Sequence, residues 1–249
     1  MKLFLTSHMG EHFWDENGAN PQMIPEENNW REVLRDSIAG KKGLLIAAMP
    51  DEFDMNDSIA RDMVDSFKLT DYNVEELKIC DNRNWEELPH LMDEAEFIVL
   101  SGGHVPTQNG FFVKVGLKEL IHKFDGPVIG ISAGTMNCAD IVYACPEEEG
   151  ESLDPKYKRY IPGLGLTTIN VLPHYQYLKD VILDGVKMVN DIALKDSYNK
   201  SFIALVDGSY ILVENGKSIV YGEAYRAYNG VMEKICEVNE SLELNGDMI

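Results

Sequence analysis

The stretch "VIGISAGTMNCAD", residues 128–140, decides the fold. An apolar run from Val128 to Ile131 enters a Gly-x-Ser-x-Gly turn, Gly130 to Gly134, and a segment with helical character leaves it. A buried strand turning sharply into a helix, with serine at the corner, is the nucleophile-elbow pattern. Its physics is steric. The serine occupies a backbone conformation that L-residues avoid, and the flanking glycines let strand and helix approach each other. The hydroxyl of Ser132 then stands clear at a helix N-terminus, which favours negative charge. The N–H of Ala133 is placed to donate to an oxyanion. The same five residues also fit a plain turn of small residues, so Ser132 needs a partner before it reads as a nucleophile.

Working outward from this corner, strands alternate with helical patterns. "KLFLTS" (2–7) reads as a buried strand, followed by a polar loop or lid over 15–29. "NWREVLRDSIAG" (29–40) predicts a helix ended by Gly40, and "KGLLIAAMP" (42–50) a second strand. That run is continuously apolar, as in a parallel sheet covered on both faces. Ile59, Ala60, Met63, Val64 and Phe67 recur at helical spacing, with Asp57 or Ser58 as the expected cap. "NVEELKIC" (73–80) is a third strand, "NWEELPHLMDEA" (84–95) a helix and "EFIVLSGGH" (96–104) a fourth strand. Residues 107–124 are expected to be helical, and "GPVIGIS" (126–132) is the fifth strand. This alternation predicts a doubly wound, mostly parallel α/β sheet flanked by helices. Sites in such sheets lie beyond the carboxyl ends of the strands.

Past the corner the pattern loosens. "CPEEEGESLDPKYKRYIPG" (145–163) is an acidic connection, "LGLTTINVLPHYQ" (164–176) a strand with a polar end, and 177–192 a helix. From 201 to 238 the chain reads as strands joined by tight turns, with Glu214-Asn215-Gly216 a hairpin signal. One α/β domain over 1–249 is expected, with a core of about 1–222 and a β-hairpin-rich C-terminal part of about 209–249.

Composition narrows the function. The chain is 45% apolar and carries a formal charge of −20, which disfavours nucleic acid and anionic membrane as partners. No apolar run approaches the ~20 residues that span a bilayer, and the N-terminus does not read as a signal peptide. Four scattered cysteines, without Cys-x-x-Cys spacing, argue against a metal framework and fit a reducing cytoplasm. No cofactor and no metal are expected.

A serine at its ordinary pKa needs a base. Of six histidines only His174 follows Ser132, at the end of an apolar strand in "NVLPHYQ". His8, His12 and His104 also lie near predicted strand ends, whereas His90 and His122 sit in helical patterns. The strongest candidate acid, Asp207 in "FIALVDGSY", again closes an apolar strand; Asp140 and Asp154 are weaker alternatives. The order Ser132, His174, Asp207 disfavours an α/β-hydrolase, in which the acid precedes the histidine. A second oxyanion donor is available at "LSGGHVPTQ", where Gly102 and Gly103 follow a buried strand.

The ordered set "FIVLSGGH", "GISAG", "INVLPHY" and "ALVDGSYI" resembles the peptidase E family, which includes aspartyl dipeptidases and cyanophycinase relatives, over roughly residues 1–222. The resemblance implies a fold like class I glutamine amidotransferases and a serine peptidase cleaving a small peptide or amide through an acyl-enzyme. It makes Ser132 the nucleophile, His174 the base and Asp207 the acid, with Gly103 and Ala133 forming the oxyanion hole. Gly102, His104 and Tyr175 are expected near the substrate, and a homodimer is a possible assembly. Two features depart from the family. His104 stands where Asn or Asp usually follows the glycine turn. The segment after His174, basic in aspartyl dipeptidases, holds Lys179 and Lys187 but no arginine. These departures keep open a non-catalytic, ligand-binding member of the fold. A glutamine amidase is disfavoured, since that fold normally has cysteine at the elbow.

Overall fold

The computed structural model describes residues 1–16, 18–246 and 248, without the side chains of Trp14 and Asp15. The C-terminal part expected over 209–249 therefore includes two residues, 247 and 249, outside the described set, as does residue 17 of the predicted 15–29 loop.

The elements run in chain order as follows. Strand β1 (Leu3–Thr6) is followed by a hairpin of β2 (His12–Asp15) and β3 (Gly18–Pro21), then helix α1 (Trp30–Ile38) and β4 (Lys42–Ile46). Helix α2 (Phe53–Leu69), β5 (Glu76–Cys80), α3 (Leu88–Glu94) and β6 (Phe97–Leu100) come next. Helices α4 (Val105–Lys114) and α5 (Leu117–Ile121) lead to β7 (Val128–Ile131) and α6 (Ala133–Asn137). Short strands β8 (Ile141–Tyr143), β9 (Tyr160–Pro162) and β10 (Asn170–Leu172) precede α7 (Tyr175–Leu178) and a small hairpin, β11 (Ile182–Leu183) and β12 (Val186–Lys187). The chain ends in β13 (Ser201–Leu205), β14 (Tyr210–Glu214), β15 (Lys217–Tyr221), β16 (Ala224–Tyr228), β17 (Val231–Cys236) and β18 (Ser241–Glu243).

The main sheet has the order β18-β15-β14-β1-β7-β6-β4-β5. Its five-strand half, β1-β7-β6-β4-β5, is parallel throughout, and β14, β15 and β18 are added antiparallel. The pleat sorts each strand's apolar residues onto two faces. Phe4, Leu45, Phe97, Val99 and Ile129 pack on one side with Trp30, Leu34 and Ile38 of α1 and Met63 and Phe67 of α2. Leu3, Leu5, Leu44, Ile98 and Leu100 pack on the other with Leu88 and Leu91 of α3, Phe111 and Phe112 of α4 and Ile121 of α5. Continuous apolar runs mark these strands because both faces are covered.

A second sheet, β10-β13-β16-β17, joins that second core through Val171, Ile203 and Ala224. The C-terminal hairpins are thus divided: β14 and β15 extend the main sheet, and β16 and β17 build the second.

Four expectations at the level of elements need correction. Helix α2 begins at Phe53, four residues before Asp57, so neither Asp57 nor Ser58 caps it. The helix expected over 107–124 is two helices, broken where Gly116 adopts φ 65°. The helix expected over 177–192 is interrupted: α7 ends at Leu178, Asp184 and Gly185, at φ 52° and 83°, turn the β11–β12 hairpin, and a π-helical turn over Met188–Ala193 follows. The predicted 15–29 loop contains strand β3. All four cysteines are buried free thiols, and no described helix is long and apolar enough to cross a membrane.

Candidate active site

Three adjacent strands of the main sheet, β1, β7 and β6, end on one edge. Ser132 follows β7 with φ 48° and ψ −110°, outside every well that an L-residue favours. Such a residue costs on the order of 1–3 kcal/mol and persists only where its surroundings over-determine it. Here they do. Its N–H donates to Thr6 O at 2.9 Å, and its carbonyl accepts from Met136 N–H in the first turn of α6. Thr135 Oγ1 donates to the same Thr6 carbonyl and accepts from Thr6 N–H, both at 2.8 Å. The elbow glycines are explained by contact. A Cβ on Gly130 would lie 2.7 Å from Thr135 Cα, and one on Gly134 only 2.1 Å from Leu100 O.

The Gly102-Gly103 turn follows β6 beside the elbow. A Cβ on Gly102 would sit 3.3 Å from Ser132 Cβ, and one on Gly103 would meet Ala48 Cβ at 2.7 Å. Ser101 Oγ accepts from Ala48 N–H, and its carbonyl accepts from the buried amide of Gln108, which fixes the turn. Among the described residues no hydrogen bond occupies the N–H of Gly103 or of Ala133.

His174 stands after β10 in the left-handed region, φ 55° and ψ 37°. Its N–H donates to Ser7 Oγ at 3.0 Å, and that hydroxyl donates to Leu205 O. Its Nδ1 lies 2.7 Å from Asp207 Oδ1. Asp207 follows β13, which pairs directly with β10, so the second sheet carries both residues. Gln176 Oε1 accepts from Asp207 N–H at 3.1 Å. Burial pushes the Asp207 carboxyl up, but the hydrogen bond and charge of His174, with smaller help from His8, hold it below its ordinary value.

Ser132, Gly103 and His174 together line two cavities. One, of about 250 Å³, is walled by Met136, Cys145, Leu172, Tyr177, Leu178 and Glu147. The other, of about 240 Å³, runs beneath β1's end to His8, Glu11 and His12. No hydrogen bond joins Ser132 Oγ to His174 among the described residues; apo sites often have such contacts loose.

The remaining expected residues sit around this centre. His104 lines neither cavity: Nδ1 contacts Thr107 Oγ1 at 2.7 Å and Nε2 contacts Glu151 Oε1 at 2.9 Å. Glu151 Oε2 accepts from the N–H groups of Glu147 and Glu148, so His104 fastens the acidic connection beside the glycine turn. Tyr175 packs on Tyr225, ring centroids 4.5 Å apart, and Tyr177 is the tyrosine on the cavity wall. Asp140 caps its own turn through Ile141 N–H, and Asp154 does the same for Lys156. Glu11 was not singled out from sequence. The signal for it is "HMGEH" (8–12), two histidines and a carboxylate in five residues after the first strand.

Comparison with known proteins fits this layout. A solved structure described as a "Putative Peptidase E Protein" from Listeria monocytogenes EGD-e has a similar fold, with a TM-score of 0.60 and 14% identity over 88% of this chain and 96% of its own. No curated protein matches the sequence. Residues 18–221 match peptidase family S51. The protein is a serine-type peptidase with a peptidase E-like fold. It belongs to peptidase family S51.

Proposed function

We propose that the protein cleaves a small peptide or amide through an acyl-enzyme formed on Ser132. His174 Nε2 takes the Ser132 proton as Oγ attacks the carbonyl carbon and then passes it to the departing amine. Asp207 holds the ring through Nδ1 and stabilises the imidazolium. The N–H groups of Gly103 and Ala133 receive the oxyanion, and water releases the acyl group by the reverse path. The observation that carries this reading is the 2.7 Å His174–Asp207 contact on the rim of a cavity that also contains the strained Ser132.

The test is labelling with a small fluorophosphonate followed by peptide mapping, with hydrolysis of a broad dipeptide panel in parallel. A single adduct on Ser132, lost in Ser132→Ala together with turnover, is expected. An unlabelled Ser132 with no hydrolysis of any dipeptide sinks the reading. It then gives way to the ligand-binding alternative, in which Ser132→Ala retains affinity.

A further inference from the structure

The 240 Å³ cavity has an unexplained wall. Glu11 is 4% exposed, and its Oε2 has no hydrogen-bond partner. Glu11 Oε1 lies 3.4 Å from His12 Nδ1, and Oε2 lies 3.9 Å from His8 Nε2, beyond hydrogen-bond reach. A buried carboxylate is normally paired on both oxygens, because leaving one dry and unmatched is unfavourable. Burial pushes the Glu11 carboxyl up, but the hydrogen bond with His12 first, and then the nearby His8 and His12 rings, hold it below its ordinary value. The Glu11 side chain lines a cavity that also contains Ser132, Gly102, Gly103 and His174.

We propose that Glu11 Oε2 binds a cationic nitrogen of the substrate, so that Glu11 is a specificity residue for the reaction at Ser132. The inference rests on Ser132 being the reacting group. The cavity is smaller than the roughly 300–1,000 Å³ of typical small-molecule sites, so it takes one terminal residue and not an extended chain. Ile59, Met63 and Ile131 give it apolar walls, and Glu11 is a buried carboxyl among its lining residues.

A metal ion is the other occupant that two histidines and a carboxylate suggest, since ligand atoms of His8, Glu11 and His12 lie within 4.8 Å of one another. The proton arrangement favours an N–H donor instead. Gly10 N–H donates to His8 Nδ1 at 2.9 Å, which leaves the proton of a neutral His8 ring on Nε2. That proton faces His12 Nε2 at 3.5 Å, and the His12 Nδ1 proton then faces Glu11 Oε1. In this assignment His8 offers no lone pair to a metal, whereas Oε2 remains an acceptor for an ammonium or guanidinium.

Two sources of the cation are separable. The first readout uses wild-type enzyme and compares kcat/KM for an alanyl dipeptide with its N-acetyl form, and for an N-acetyl-lysyl amide with its norleucyl analogue. The second measures binding of the same four compounds to Ser132→Ala by calorimetry, which is independent of turnover. A preference of about tenfold or more for the cationic member of either pair, lost in Glu11→Gln through a raised KM, supports the proposal. The first pair showing it assigns an α-ammonium, the second a side-chain cation. Equal treatment of both pairs by the wild type, in rate and in binding, overturns the inference and leaves the labelling result at Ser132 untouched. Stoichiometric Zn²⁺ or Mn²⁺ binding that Glu11→Gln abolishes also overturns it, in favour of a metal site.

Discussion

Gly134 shows how little freedom the corner leaves. Leu100 O sits where its Cβ would be, at 2.1 Å, and backbone cannot yield as a flexible side chain does. Gly134→Ala is expected to destabilise by ~1–3 kcal/mol, as overpacked cores do, read as a lower midpoint in urea. Gly110, with open space around its Cβ position, serves as the control. Asp207 makes a second residue-scale case. Asp207→Asn keeps the shape but presents the wrong hydrogen-bonding pattern to His174 Nδ1. Its kcat is expected to fall by about 10³–10⁴ while Ser132→Ala remains the worse variant. An unchanged kcat would transfer the acid's role to another carboxylate.

Among the elements, those that are legible in sequence are the ones whose environment is uniform. Strands β4, β6 and β7 are buried on both faces, and their unbroken apolar runs give them away. Ser132, His174 and Asp207 each close such a run, which is why they could be named before any geometry. The segment 177–192 defeats the same logic. Val181, Ile182, Leu183, Val186, Met188 and Val189 satisfy a helical period, yet Asp184-Gly185 prefers the left-handed conformations of a tight hairpin turn. The local turn chemistry wins. Glu11 was hidden for a different reason: nothing in a single sequence says that a carboxylate after a strand is buried. The acidic connection carries its own prediction. His104–Glu151 is one fastening, and Asp184, which accepts from Gly150 N–H, Ser152 N–H and Ser152 Oγ, is another. His104→Ala is expected to speed proteolysis at Lys156 and Lys158 several-fold while the melting temperature hardly moves. Equal cleavage rates would show that Asp184 suffices alone.

At the scale of the whole molecule, charge sets the response to pH and salt. Burial pushes Asp81 up, but hydrogen bonds with Arg83 and Asn56 hold its carboxyl below the ordinary 3.8. Asp207 and Glu11 are lowered against burial in the same way. A carboxyl that is more acidic folded than unfolded contributes stability that is complete above its unfolded value and lost as pH falls through its folded value. Melting temperature is therefore expected to drop below about pH 4, and Asp81→Asn to flatten that drop; a parallel curve would remove Asp81 from the account. The formal charge of −20 acts the other way near neutrality, as self-repulsion. Salt that shortens the screening length from ~30 to ~3 Å is expected to raise the melting temperature at pH 7.

The end of β1 bears on how the protein is made. Thr6 O holds the N–H of Ser132, and Ser7 Oγ holds the N–H of His174 and reaches Leu205 O. Leu3, the first residue of that strand, lies opposite Val213, some two hundred residues later in translation. The first strand leaves the ribosome long before either neighbour exists, and an unpaired apolar edge is a template for the wrong partner. Such distant closures are slow. A nascent chain halted before Leu205 would have the serine corner but neither the β14 side of its central strand nor Asp207. Catalytic competence should thus arrive late and all at once, with chaperone demand concentrated in the interval before it.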